Sequence, residues 1–225
     1  MNNNLASSHP WICGSGLYRA RLIEFNYHPA AWARADRLGR LCPMVADVNR
    51  LRLNPRAERF VSRFILSTWQ LPEPYIFDFQ SPEHRLVLVS ADPLEQLAER
   101  LGLLAYSDVI RLCVRRDERA RIAEAIGEPC RQYALAAAVR YGSALNGAAC
   151  RPEDLSLDLV RSAGWRCVLA CARSAAPAAL RRFELKLPLG VELDMDVNRS
   201  GSTAWPLVER VLKSEFRGEW EACCC

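Results

Sequence analysis

The stretch from Asp92 to Gly127 limits the fold more than any other, because it holds three helical segments too short to stand alone. Asp92 followed by Pro93 opens the first, with a side-chain oxygen for the orphan amides and a proline pre-set at the first helical position. Leu94, Leu97, Ala98 and Leu101 recur at helical spacing, and Gly102 is placed to stop the helix in the left-handed conformation. Ser107 and Asp108 begin a second helix with Val109, Ile110, Leu112, Cys113 and Val114 on its apolar side; Asp117 caps a third that ends at Gly127. Helices shorter than ~12–15 residues are marginal in water, so all three must bury apolar faces against one another and the rest of the chain.

The same punctuation extends outward. Helices are expected from Pro29 to Leu38 and from about Pro43 to Leu53. A longer one opens at Pro55, with Phe60, Val61, Phe64, Ile65 and Leu66 on its apolar side. Beyond the central stretch, Pro129–Tyr141 and Pro152–Ala172 read as helices, Gly164 allowing a close crossing; Trp205–Phe216 closes the fold as an amphipathic helix. Arg85–Ser90 fits a strand or a helix equally. The one period-two signal is Phe183, Leu185 and Leu187, which predicts a short strand before Pro188, with Val191 and Leu193 able to pair with it as a hairpin. The expected fold is therefore mainly α: a compact multi-helix globular domain with one small β-strand or hairpin element near 183–194. Its expected boundaries are a flexible N-terminus at 1–16, a single helical domain at 17–219 and a flexible cysteine-rich tail at 220–225.

Two segments stand out as binding surfaces. Leu71–Pro82 is broken by Pro72, Pro74 and Pro82, yet Trp69, Tyr75, Ile76, Phe77 and Phe79 crowd into and beside it. It reads as a loop plugging the core or as a docking surface anchored by Trp69, Tyr75 and Phe77. Arg111, Arg115, Arg116, Arg119 and Arg121 stand against Asp117 and Glu118, and Arg115, Arg119 and Arg111 can share a helical side. This is either a solvated face with local ion pairs or a basic rim that steers an acidic partner.

Little in the chain points to chemistry. His9, His28 and His84 lack metal or triad spacing, and no nucleotide-binding or hydrolase motif occurs. Asp194–Gly201 begins like a calcium loop but has Arg199 where glycine is required and Trp205 where a bidentate glutamate belongs. No catalytic, cofactor or metal residues are assigned. The ten cysteines contain no C-x-x-C pair, and with no secretory signal and no long apolar run they read as reduced thiols in a cytoplasmic protein. The formal charge of +4 falls short of a dedicated nucleic-acid binder. Gln96–Leu103 has the look of the first helix of a helix-turn-helix, but the following helix would then bury Asp108 and Arg111, so DNA binding stands as the alternative.

Arg100-Leu101-Gly102-Leu103 followed by Val109-Ile110-Arg111-Leu112-Cys113-Val114 resembles paired segments of the SctK family (YscK, PscK) of type III secretion proteins. Pro29-Ala30-Ala31-Trp32, Ser162-Ala163-Gly164-Trp165 through Leu169-Ala170, and Phe183 through Leu189 resemble further family segments in the same order. The resemblance implies a non-enzymatic adaptor of the cytoplasmic sorting platform, at the cytoplasmic face of the bacterial inner membrane and without membrane insertion. Its implied partners are the cytoplasmic domain of the ring protein SctD and the SctQ pods, and indirectly SctL and the ATPase SctN, with neither nucleic acid nor cofactor.

Overall fold

Several helices of this chain open with a proline in the first turn, where its missing N–H costs nothing. In the computed structural model, which describes residues 16–43, 47–69, 71, 75–77, 79, 81–142, 145, 150–193 and 203–224, they follow one another almost without pause. The order is α1 (Gly16–Tyr27), α2 (Pro29–Trp32), α3 (Ala35–Leu41), α4 (Val48–Arg52), α5 (Pro55–Thr68) and a 3-10 helix (Pro82–Leu88). Then come α6 (Ala91–Ala105), α7 (Ser107–Leu112), α8 (Arg116–Ile126), α9 (Glu128–Tyr141) and a 3-10 turn (Pro152–Asp154). The chain ends in α10 (Leu157–Ala172), α11 (Pro177–Glu184), α12 (Trp205–Glu215) and α13 (Arg217–Ala222). Asn54 caps α5 by accepting from the amides of Arg56 and Ala57, and Gly127 ends α8 at a φ of 88° that a side chain would strain. No strand occurs among the described residues.

Where the sequence reading has a single domain, the helices gather into two compact units. The first comprises Met1–Ala91, Ala172–Arg199 and Phe216–Cys225; the second comprises Asp92–Cys171 and Ser200–Glu215.

In the first unit, Tyr18, Leu22 and Phe25 of α1 are buried with Leu86–Val89, Phe183, Leu185 and Leu187. Phe25 stacks on Trp32 at 5.5 Å and meets Phe79 edge-on at 6.1 Å. The strand expected at Phe183–Leu187 is instead the end of α11 and three successive turns, with the amides of Leu185, Lys186 and Leu187 donating three residues back. Its carbonyls have partners other than a ladder. Leu185 O accepts the Arg34 amide, while the Arg37 guanidinium donates to Leu187 O at 3.0 Å, Pro188 O at 3.1 Å and Val191 O at 2.8 Å. Alternation also misled because Lys186, on the supposed solvent side, is buried too. Val191 and Leu193 lie in irregular chain, and the rest of the expected hairpin is outside the described residues. Arg85–Ser90 resolves as the 3-10 helix and its exit.

The end of the chain is tied down rather than loose over 217–223. Glu219 of α13 accepts from Arg21 at 2.7 Å and from the Ser90 amide at 2.7 Å, and Trp220 and Cys223 are buried. On α5, Val61 and Ile65 are buried as expected, but Phe60 (69 % exposed) and Phe64 (40 %) face outward.

In the second unit, Gly102 does not stop a helix. It lies inside α6, fully covered, where it crosses α10. A Cβ at Gly102 would sit 1.9 Å from Val160 O, and one at Gly164 would sit 1.6 Å from Ala98 O. Each glycine thus makes room for the other helix's backbone, the close crossing that Gly164 suggested. Around it, Leu103, Tyr106, Ile110, Ile122, Ile126, Leu155 and Val160 form one buried apolar cluster.

Candidate functional site

The two surfaces singled out in the sequence lie in different units. In the second unit, Ile110 and Cys113 turn inward, so the link between α7 and α8 is anchored while its other residues are left outside. Leu112 and Val114 are each 73 % exposed, and Arg111, Arg115, Arg116 and Arg119 surround them in sequence, all exposed. The four arginines do not share one helical side: Arg111 is on α7, Arg115 is the residue before α8, and Arg116 and Arg119 are in α8. Arg111 pairs locally with Asp108 at 3.1 Å and Arg121 with Asp117 at 3.7 Å, both in solvent. Arg115, Arg116 and Arg119 have no carboxylate partner among the described residues. The result is a basic edge with two apolar residues at its centre.

In the first unit, Trp69 ends α5 and is half-buried, as are Tyr75 and Phe77. The side chain of Asn26 holds this segment to α1: it accepts from the Ile76 amide at 2.8 Å and donates to Ile76 O at 2.7 Å. Tyr75 leans on Tyr27 at 4.4 Å between ring centres, and Phe77 lies 6.5 Å from it. Leu71 and Phe79 are buried. The segment therefore plugs the core at Leu71 and Phe79 and shows a partly open aromatic face between them. Pro72 and Pro74 fall outside the described residues, as do the calcium-like stretch 194–201, His9 and Cys225.

Sequence reading missed two clusters. The first surrounds Lys186, whose Nζ donates to Val87 O at 2.7 Å and Val89 O at 2.8 Å beneath the rings of Phe25 and Trp32, 5.2 and 5.0 Å away. Burial pushes its ammonium down to about 7. The neighbouring Cys223 thiol is pushed up to about 12, by burial first and then by the Glu219 carboxylate. A signal existed, since Lys186 is one of only two lysines among thirty basic residues. The second cluster joins Arg100, Tyr133, Tyr141 and Glu215 of the second unit. Tyr133 and Tyr141 both donate to Glu215 Oε1 at 2.8 Å, and Arg100 lies 4.0 Å over the Tyr133 ring. Burial, followed by the Glu215 carboxylate, raises the Tyr133 hydroxyl far above its ordinary range, so it stays a donor. No sequence signal could join residues so far apart.

The helix-turn-helix alternative gains no support, because Gly102 lies within a helix crossing where that motif needs a turn. Among the described residues no helix is long and apolar enough to cross a membrane. No curated protein and no solved structure matches the chain. A family model does: YOP proteins translocation protein K (YscK) matches residues 21–210, which include both glycines of the α6–α10 crossing and the α7–α8 edge. The chain therefore belongs to the YscK family of type III secretion proteins.

Proposed function

We propose that this protein is a non-enzymatic adaptor of the cytoplasmic sorting platform of a type III secretion apparatus. In this reading it links the cytoplasmic domain of the ring protein SctD to the SctQ pods, and through them to SctL and the ATPase SctN, at the cytoplasmic face of the inner membrane. Family membership supports the secretion role. The observation that carries the binding role is the α7–α8 edge, where Arg115, Arg116 and Arg119 flank two apolar side chains held in water. Exposed charge of one sign steers a partner of the opposite sign and fixes its register, while the leucine and valine supply area to bury. Tyr75 and Phe77, gathered beside Tyr27, with Trp69 at the end of α5, supply aromatic anchors for a second contact.

The test is retention of the cytoplasmic domain of SctD and of SctQ on the immobilised chain, with Arg115, Arg116 and Arg119 together changed to glutamate. Loss of one partner with unchanged circular dichroism, and loss of secretion in cells carrying the variant, is the expected result. Equal retention of both partners, or normal secretion after deletion of the whole gene, would remove the adaptor reading.

A further inference from the structure

The second unit carries a half-open cleft of about 390 Å³ that neither the edge nor the aromatic face uses. It is lined by Ala136 and Ala137 of α9 and by Tyr133 and Tyr141. Arg100, Arg140 and Glu215 supply its charge. The carboxylate is already satisfied: Glu215 Oε1 accepts both tyrosine hydroxyls, and Oε2 lies 3.7 Å from Arg100 Nε. Arg100 therefore balances Glu215. Stacking on Tyr133 uses the face of its guanidinium and leaves N–H groups at the edge. Arg140 has no carboxylate among the described residues and meets only the Tyr141 ring, at 5.8 Å. The cleft holds one surplus guanidinium and a fixed aromatic wall. It is small for a ligand pocket, at the low end of the roughly 300–1,000 Å³ such pockets span.

From this geometry we infer that the cleft receives an acidic side chain from a partner protein, its carboxylate on Arg140 and the edge of Arg100 and its aliphatic stem on Ala136 and Ala137. A free small anion would gain nothing from Ala136 and Ala137, whereas a peptide with a leucine or valine next to its acid gains from both. Locking of the tyrosines by Glu215 means that no side chain need be ordered at binding except Arg140. The site stands on its own geometry and needs neither the edge nor the aromatic face.

The experiment uses the full chain with isotope-labelled tyrosine and follows the ring signals of Tyr133 and Tyr141 by NMR. The probe is a capped peptide of alternating leucine and glutamate, with its glutamine counterpart and inorganic phosphate as comparisons. The glutamate peptide should shift both rings saturably, and Arg140→Glu should weaken it about tenfold, the loss of one exposed charge contact. The Arg115→Glu/Arg119→Glu variant should bind as wild type does, which separates this site from the edge. Equal shifts by the glutamine peptide, equal affinity in Arg140→Glu, displacement by phosphate alone, or loss in the Arg115/Arg119 variant would each overturn the assignment.

Discussion

Replacing Gly164 by alanine tests the packing on which the second unit depends. The added carbon would lie 1.6 Å from Ala98 O and 2.5 Å from Ala98 C, both backbone atoms of α6 that no rotamer change can move. An ordinary carbon–oxygen approach is about 3.3 Å, so the two helices must part locally by about 1.7 Å. A radial gap of even 0.5–1 Å forfeits roughly a quarter to a half of a dispersion contact, and Leu101, Val160, Ala163 and Val168 all lie buried along these two helices. Overpacking alone costs about 1–3 kcal/mol, and the separation adds the lost contacts; alanine returns about 1 kcal/mol of helix propensity. A net loss of about 3 kcal/mol follows. For a chain of this size that lowers the unfolding midpoint by roughly 6–12 °C.

Gly102→Ala, whose carbon would lie 1.9 Å from Val160 O, should behave alike. Gly39→Ala is the control, because Gly39 is inside α3 with nothing within 4 Å of a Cβ. There only the propensity gain remains, about 0.5–1 kcal/mol of stabilisation. Thermal and urea unfolding followed by circular dichroism compares the three. Gly164→Ala as stable as wild type, or all three substitutions shifting stability in the same direction, would show that the close crossing does not hold the two helices together.

Other outcomes follow from the same structure. Because burial lowers the Lys186 pKa to about 7, the unfolded chain binds more protons between there and 10.5, so stability should rise with pH over that window by up to about 1.4 kcal/mol per unit. The raised Cys223 pKa works the other way above 9, which leaves pH 7–9 as the clean interval; Lys186→Met should flatten it in urea titrations. Cys223, buried and with its thiol held protonated, should resist alkylation in the native protein and react once urea unfolds it, as mass spectrometry of the labelled peptide would record. Glu215→Ala orphans the Tyr133 hydroxyl, leaves Tyr141 only its bond to Ser214 Oγ and should cost about 1–3 kcal/mol; Tyr141→Phe removes bonds to both the Glu215 carboxylate and Ser214 and should cost about 1.5–3, both read from urea midpoints.

Much of this fold was legible because helices announce themselves locally. Pro55 after Asn54, Ser107 after Tyr106 and Gly127 after Ile126 mark ends that depend on a few neighbouring atoms, and these boundaries match. Gly102 was misread because the same residue that can end a helix can also admit a second backbone, and only Val160, far along the chain, decides between them. Phe60 and Phe64 were assigned to a buried face on spacing alone, yet α5 buries a narrower stripe through Val61 and Ile65. The two candidate surfaces stand out as composition, arginines along one stretch and aromatics between prolines, but Leu112 and Val114, expected on a buried helix face, are each 73 % exposed because only Ile110 and Cys113 of that face turn inward. The cleft was not legible, since Tyr133 and Glu215 are joined only by the folded backbone.

The one buried ammonium shows why this chain, so dominated by arginine, keeps a lysine at 186. The last turn of Pro82–Leu88 and the residue after it leave the carbonyls of Val87 and Val89 inside the first unit, where water cannot reach them. A compact ammonium with three donors can satisfy both carbonyls at once and still face the rings of Phe25 and Trp32. A guanidinium is planar and presents its donors in a fork, so at this depth it would either leave N–H groups unpaired or push the rings aside. Arg37, at the edge of the same unit, meets the opposite geometry, a row of carbonyls at Leu187, Pro188 and Val191 that a fork reaches and a point donor does not. Exchanging the two residue types should therefore harm both places, with Lys186→Arg worse than Lys186→Met in the midpoint of urea unfolding. If Lys186→Arg proved as stable as wild type, donor geometry would not be what selects lysine there.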